Sequence, residues 1–278
     1  MITKEMIKKI RQIEIKSMKI VDEIFSGEYH ANFKGKGMEF EDIREYYPGD
    51  DVRSIDWNVT ARHNQTYVKQ FSEERELNMF LLVDVSRSNN FGNKKDFIAE
   101  LGATLSYSAN KNNDKVGMIL FTDKVEKVIP SKAGRKHTLS IIETILDFEP
   151  ENKGTDLEKA LKYFNRIEKK RSIVFLISDF MDTDYDQGIK MVGRKHDLVL
   201  IRVIDPVEDA IPAGAIYTFE DLETGETFVL DNLKSEMKTS GSVETKGMNM
   251  IQLFTNEDYV KPLRLFFQRK VRRWRRIW

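Results

Sequence analysis

From Leu77 onward, short apolar runs alternate with longer stretches in which apolar residues recur every three or four positions. Met79–Val83, Val116–Phe121, Ile173–Ile177 and Leu198–Ile204 are of strand length and almost wholly apolar, the pattern of strands buried on both faces. Between and around them, Lys94–Asn110, Lys136–Phe148 and Asp156–Ile167 carry the helical period. Val125–Ile129 follows the second run closely enough to be its hairpin partner. Met248–Phe254 predicts a late strand, and Thr255-x-x-Asp258 opens a terminal helix over Glu257–Arg272. Ile216–Phe219 and Glu226–Leu230, split by Glu223-Thr-Gly225, predict an inserted hairpin. Strands alternating with helices imply an α/β fold whose mostly parallel sheet is covered on both faces, and right-handed crossovers make it doubly wound.

The part before Leu77 has a different character. Met6, Ile10, Ile13, Ile20 and Ile24 fall at helical spacing among lysines, which predicts a surface helix over residues 2–25 that docks on its own domain. Residues 26–76 interleave glycines, aromatics and charges around the turn signal Pro48-Gly49, which predicts a small, partly β-structured unit. The chain thus divides into residues 1–76, with the N-terminal helix and this segment, and residues 77–278. Around the turn, Asp50, Asp51, Arg53 and Asp56 suggest an ion-pair network with Trp57 anchored in the core. Arg44, Arg53 and Arg62 offer the alternative of a binding surface. Gly35-Lys-Gly37 is no phosphate cradle, because it lacks a preceding strand, a third glycine and a following helix.

Composition removes several function classes. Among 278 residues, 45 basic side chains balance 45 acidic ones, so the whole molecule has no electrostatic bias toward nucleic acid. The absence of cysteine excludes thiolate metal sites, thiol nucleophiles and disulfides. No apolar run spans a bilayer, and no apolar stretch follows Met1-Ile-Thr-Lys-Glu, so a cytoplasmic location is expected. None of His30, His63, His137 and His196 has metal-ligand or acid–base spacing, and no serine lies in a nucleophile elbow.

The chemistry concentrates where apolar runs end. Asp84, Ser86 and Ser88 stand as D-V-S-R-S directly after Met79–Val83. Gly154-Thr155-Asp156 opens a helix, and Ser178-Asp179 closes Ile173–Ile177. Carboxylates and hydroxyls are hard oxygen ligands, suited to Mg²⁺ or Mn²⁺. Each residue also has a purely structural reading. Thr155 with Glu158 makes a capping box, Ser86 and Ser88 suit helix caps, and Asp84 suits loop amides. Asp182 and Asp184 offer a second metal position or a base, which keeps a metal-dependent hydrolase as an alternative. The basic segment Arg269–Trp278, with its interleaved tryptophans, reads either as a solvated helix end or as a peripheral contact with an anionic membrane surface.

Asp84, Ser86, Ser88, Thr155 and Asp179 together resemble the metal-ion-dependent adhesion site of von Willebrand factor A-type domains. The resemblance implies that both serines touch the cation directly and that the threonine and second aspartate bind directly or through water. One coordination position is then left for a carboxylate from a partner. Three longer segments, Gly37–Arg62, Phe71–Leu77 and Arg171–Phe180, resemble the signature of the family called domain of unknown function 58. That family carries a von Willebrand A-type domain and is typically encoded beside MoxR-type AAA+ ATPases and membrane-anchored von Willebrand A-type proteins in bacteria. The resemblance implies a cytoplasmic adaptor in an assembly or maturation system with such an ATPase; the histidine spacings and the lack of a nucleic-acid motif lead to the expectation of an interaction module, not an enzyme, with no nucleic-acid partner.

Overall fold

The computed structural model describes residues 4–25, 39–63, 65–72, 77–90, 93–111, 113–152, 154–206, 210–211, 215–220, 227–232, 237–238 and 249–274. Its centre is a six-stranded sheet. The strands are β3 (Asn78–Asp84), β4 (Lys115–Phe121), β5 (Val125–Lys132), β6 (Ile173–Ser178), β7 (Asp197–Ile204) and β12 (Met250–Phe254). They lie in the order β12-β7-β6-β3-β4-β5, all parallel except β5, which returns antiparallel on β4. This is the doubly wound, mostly parallel α/β architecture expected from the alternating pattern.

Side chains on a strand alternate between faces, so β3 feeds two cores. Met79, Leu81 and Val83 join one core with α3 (Lys94–Lys111), α4 (Arg135–Asp147) and α7 (Val260–Trp274). Phe80 and Leu82 join the other with α5 (Leu157–Ile167) and α6 (Asp186–Lys195). Burial on both faces explains why the central strands read as unbroken apolar runs in sequence. The terminal helix begins at Val260, later than the pattern suggests. Asp258 Oδ1 accepts the Val260 N–H at 3.0 Å, whereas the Thr255 hydroxyl is turned to Asp205 at 3.1 Å.

The N-terminal helix α1 (Lys4–Phe25) lies on the first core, burying Ile13, Ile20 and Val21. Glu14 is buried with it, accepting from the Tyr107 hydroxyl at 3.0 Å and from Arg135 Nε at 2.6 Å. Lys16 pairs with Glu100 at 2.7 Å, so the helix docks on its own domain as its apolar stripe predicted. The segment that follows forms an antiparallel pair, β1 (Glu39–Glu45) with β2 (Tyr67–Ser72), and a short helix α2 (Trp57–His63). Two further small antiparallel pairs join β9 (Ala215–Glu220) to β10 (Thr227–Asn232), the inserted hairpin of the sequence reading, and β8 (Ala210–Ile211) to β11 (Met237–Lys238). Gly35-Lys-Gly37, the loop between β9 and β10, and the side chains of the basic tail from Arg269 lie outside the described residues.

The acids of the signature turn are not pooled into a network. Asp50 takes Arg44 in a two-pronged contact at 2.7 and 2.8 Å. Asp51 accepts the Arg53 N–H at 2.9 Å, capping the 3-10 turn Val52–Ser54. Asp56 accepts the N–H groups of Asn58 and Val59 at the start of α2. Trp57 is 68% exposed, so the expectation that it anchors the segment in the core is corrected. Trp57 opens the short helix α2, and its side chain lies in solvent there.

Gly117 on β4 shows how closely the sheet is packed. A Cβ there would lie 2.5 Å from the Phe80 ring of β3. Gly117→Ala should therefore destabilise the protein by about 1–3 kcal/mol. Gly193 in α6 has open space around it, and Gly193→Ala should stabilise by up to ~1 kcal/mol. Urea midpoints of the two variants check both signs at once.

Candidate metal centre

The order of the sheet reverses between β3 and β6. From β3 the chain adds β4 and β5 on one side, then returns to lay down β6, β7 and β12 on the other. Loops leaving the carboxyl ends of β3 and β6 therefore part to opposite faces, and the crevice between them is where open α/β sheets bind ligands. Asp84 is the last residue of β3 and Ser178 the last of β6.

Asp84 has no exposed surface. Its Oδ1 accepts the Ser86 N–H at 2.9 Å and its Oδ2 accepts the Ser178 hydroxyl at 2.7 Å. A 3-10 turn over Arg87–Asn90 folds the next residues back, so the Ser86 and Ser88 hydroxyls lie 3.1 Å apart. Asn89 Nδ2 donates to the Ser86 hydroxyl at 3.3 Å.

Asp179 comes from the other loop. Its Oδ1 accepts the Met181 N–H at 3.2 Å, and its carbonyl accepts from buried Arg202 Nε at 3.1 Å. The next residue, Phe180, is buried with φ at 58°, a left-handed conformation that bulky residues rarely adopt. Its N–H donates to the Ser178 hydroxyl at 3.0 Å, so one serine holds Asp84 and the reversing chain together. Burial, and then the charge of Asp179, push the Asp84 carboxyl up to about 7 against the hydrogen bonds from Ser178 and Ser86. The charge of Asp179 is thus felt at the fully buried Asp84.

Thr155 reaches the same edge of the sheet by a third route. The Asp156 N–H donates to the Thr122 carbonyl, just beyond β4, at 3.1 Å. Thr155 does not cap the helix it precedes. Asp156 is the cap, accepting the Lys159 N–H at 2.7 Å, and Glu158 is drawn away to the Gly188 N–H at 2.6 Å. The capping-box reading of Thr155 and Glu158 therefore gives way. Asp182, considered above as a base or second ligand, accepts the N–H groups of Leu157 at 2.8 Å and Thr183 at 2.7 Å. It ties the start of α5 to the loop after β6.

Four participants escaped the sequence reading of the site: Ser178, Asn89, Arg202 and Lys94. Lys94 is fully buried at the first residue of α3, with Nζ 3.6 Å from Asp179 Oδ2. The signal available for it was a lysine in the first turn of a helix, the end where the backbone dipole disfavours cations. Ser178 was visible in Ser178-Asp179, but only its position opposite Asp84 gives it a task.

The donor set fits a hard divalent cation. The Asp84 carboxyl, raised by burial and by the charge of Asp179, lies beside two touching hydroxyls and would be relieved by positive charge placed there. Asp84, Ser86, Ser88, Asp179 and Thr155 could hold it. Among the described residues no three acidic or histidine side chains cluster, so hydroxyls and water would complete the shell, as Mg²⁺ prefers.

Comparison with known proteins gives the lineage. Uncharacterized protein Rv1480 of Mycobacterium tuberculosis is 28% identical over 223 residues, which is 78% of this chain and 70% of that protein. Among solved structures, the conserved hypothetical protein BatB from Bacteroides thetaiotaomicron aligns over 71% of this chain and 99% of its own, with 12% identity and a TM-score of 0.47. Proximal thread matrix protein 1 from the mussel byssus, in a structure with a zinc-occupied MIDAS motif, aligns over 46% of this chain and 38% of its own, with 21% identity and a TM-score of 0.35. The family described as protein of unknown function DUF58 matches residues 42–246, three quarters of the sequence, and the chain belongs to that family.

Proposed function

We propose that this protein is an interaction module that grips an acidic side chain of a partner protein through a divalent cation held by Asp84, Ser86, Ser88, Thr155 and Asp179. The observation that carries the reading is the meeting of Asp84 and Asp179 at the sheet's point of reversal, with Ser86 and Ser88 turned to the same place. Mg²⁺ or Mn²⁺, when bound, supplies an electrophilic position that a carboxylate can fill. Everything else is the work of this chain. Ser178 and the Ser86 amide fix both Asp84 oxygens, Arg202 and the Met181 amide fix the Asp179 loop, and Asp156 takes over capping so that Thr155 is left for the centre.

The reading favours binding over hydrolysis, because both oxygens of Asp182 are engaged by backbone amides. The partner class follows from the resemblance: a MoxR-type AAA+ ATPase, or a membrane-anchored von Willebrand A-type protein of the same assembly. Among the described residues no helix is long and apolar enough to cross a membrane, and we assign the protein to the cytoplasm on the resemblance.

Two measurements test this. A purified MoxR-type AAA+ ATPase from the same organism should be retained by the immobilised protein in Mg²⁺, and released by chelation or by Asp84→Asn. Retention indifferent to both would refute a cation-mediated grip. The second concerns protons. Asp84 has an ordinary value of 3.8 and is held near 7 in the fold, so the native state binds its proton more tightly. Its contribution to stability is complete below 3.8 and is lost as pH rises through 7. Without metal, the melting temperature of wild type relative to Asp84→Asn should fall by roughly 5–10 °C between about pH 5 and about pH 8. A constant difference across that range would show that Asp84 is not held protonated.

A further inference from the structure

A lysine with no exposed surface is costly to bury, and the first turn of a helix is the unfavourable end for a cation. Lys94 accepts both penalties at one position. Its ammonium sits 3.6 Å from Asp179 Oδ2, while the other carboxylate of the pair, Asp84, is turned to Ser178 and Ser86. The fold therefore builds a lysine ammonium into the centre that would hold the metal.

We infer that Lys94 is an internal counter-cation that keeps metal binding weak until a partner's carboxylate arrives. The inference rests on the metal-centre reading above and adds how that centre is controlled. Two ionised aspartates and one divalent cation balance by themselves. Lys94, 3.6 Å from Asp179 Oδ2, adds a positive charge that repels the cation across this largely buried centre and weakens its binding. An acidic side chain from a partner cancels that charge. The cation and the acidic group then bind as a unit, each raising the affinity for the other by the same factor.

Lys94 does this from a rigid place. Helix α3 is covered by α1 through the Lys16–Glu100 pair, and Lys95 is tied to the Phe148 carbonyl at 2.9 Å. The ammonium meets Asp179 on the side away from the Met181 amide, which engages the other carboxylate oxygen. Lys94 is thus a positioning residue: it acts on the cation and on the partner through Asp179.

The test is Mn²⁺ binding by calorimetry and electron paramagnetic resonance on wild type, Lys94→Met, Lys94→Gln and Asp84→Asn, each checked by thermal melts. Lys94→Met keeps volume and Lys94→Gln keeps a polar end, so a folding failure in one leaves the other to read. Both Lys94 variants should bind Mn²⁺ at least ~10-fold more tightly than wild type. Replacing chloride with acetate, as a monocarboxylate probe, should strengthen wild-type binding and leave Lys94→Met nearly unchanged. Equal or weaker binding in the folded Lys94 variants would overturn the counter-cation while leaving the metal centre intact, provided wild type binds saturably and Asp84→Asn does not. No uptake by any of the four would overturn both readings.

Discussion

Two buried carboxylates brought together at the carboxyl ends of neighbouring parallel strands are the constraint around which this protein is arranged. Asp84 is fully enclosed, and the charge of Asp179 adds to the cost of ionising it. Such a confrontation persists only if the surroundings answer every oxygen. Here they do so with a hydroxyl from Ser178, amides from Ser86 and Met181, and the ammonium of Lys94. The positive φ of Phe180 belongs to the same economy, since it turns the chain where Asp179 must face Asp84.

The scaffold supplies the rigidity that this needs. Each face of β3 is packed into its own core, and Phe80 presses so close to β4 that only glycine fits at position 117. On one side α1 fastens α3, the helix that delivers Lys94, through buried Glu14 and the Lys16 pair. On the other side Asp182 joins the loop after β6 to the start of α5, so the segments bearing Asp179 and Thr155 are held to each other. A shift of one of these segments would therefore be felt at the other.

The signature turn shows the same use of acids for local order. Asp50, Asp51 and Asp56 serve Arg44, the 3-10 turn and α2 in that sequence, and the outcome is a stiff segment with Tyr47, Val52 and Trp57 all well exposed. Its acids stabilise the backbone one element at a time, which is why their crowding in sequence does not become a network in space.

Much of the fold was legible in the chain because hydrophobic periodicity is local. Met79–Val83 and Ile173–Ile177 announce strands buried on both faces, and the stripe from Met6 to Ile24 announces a docked helix. The places of the candidate donors Asp84, Ser86, Ser88, Thr155 and Asp179 were legible too, since each stands where a strand ends or a helix begins. The exposure of Trp57, the choice of Asp156 over Thr155 as cap, and the roles of Ser178, Arg202 and Lys94 were not. These depend on which side chains meet across elements far apart in sequence, as Lys94 meets Asp179. Spacing along the chain decides which face a residue occupies. Only the pairing of β3 with β6 at the reversal of the sheet decides which charges must share an enclosed space, because there the charge of Asp179 and burial both act on Asp84.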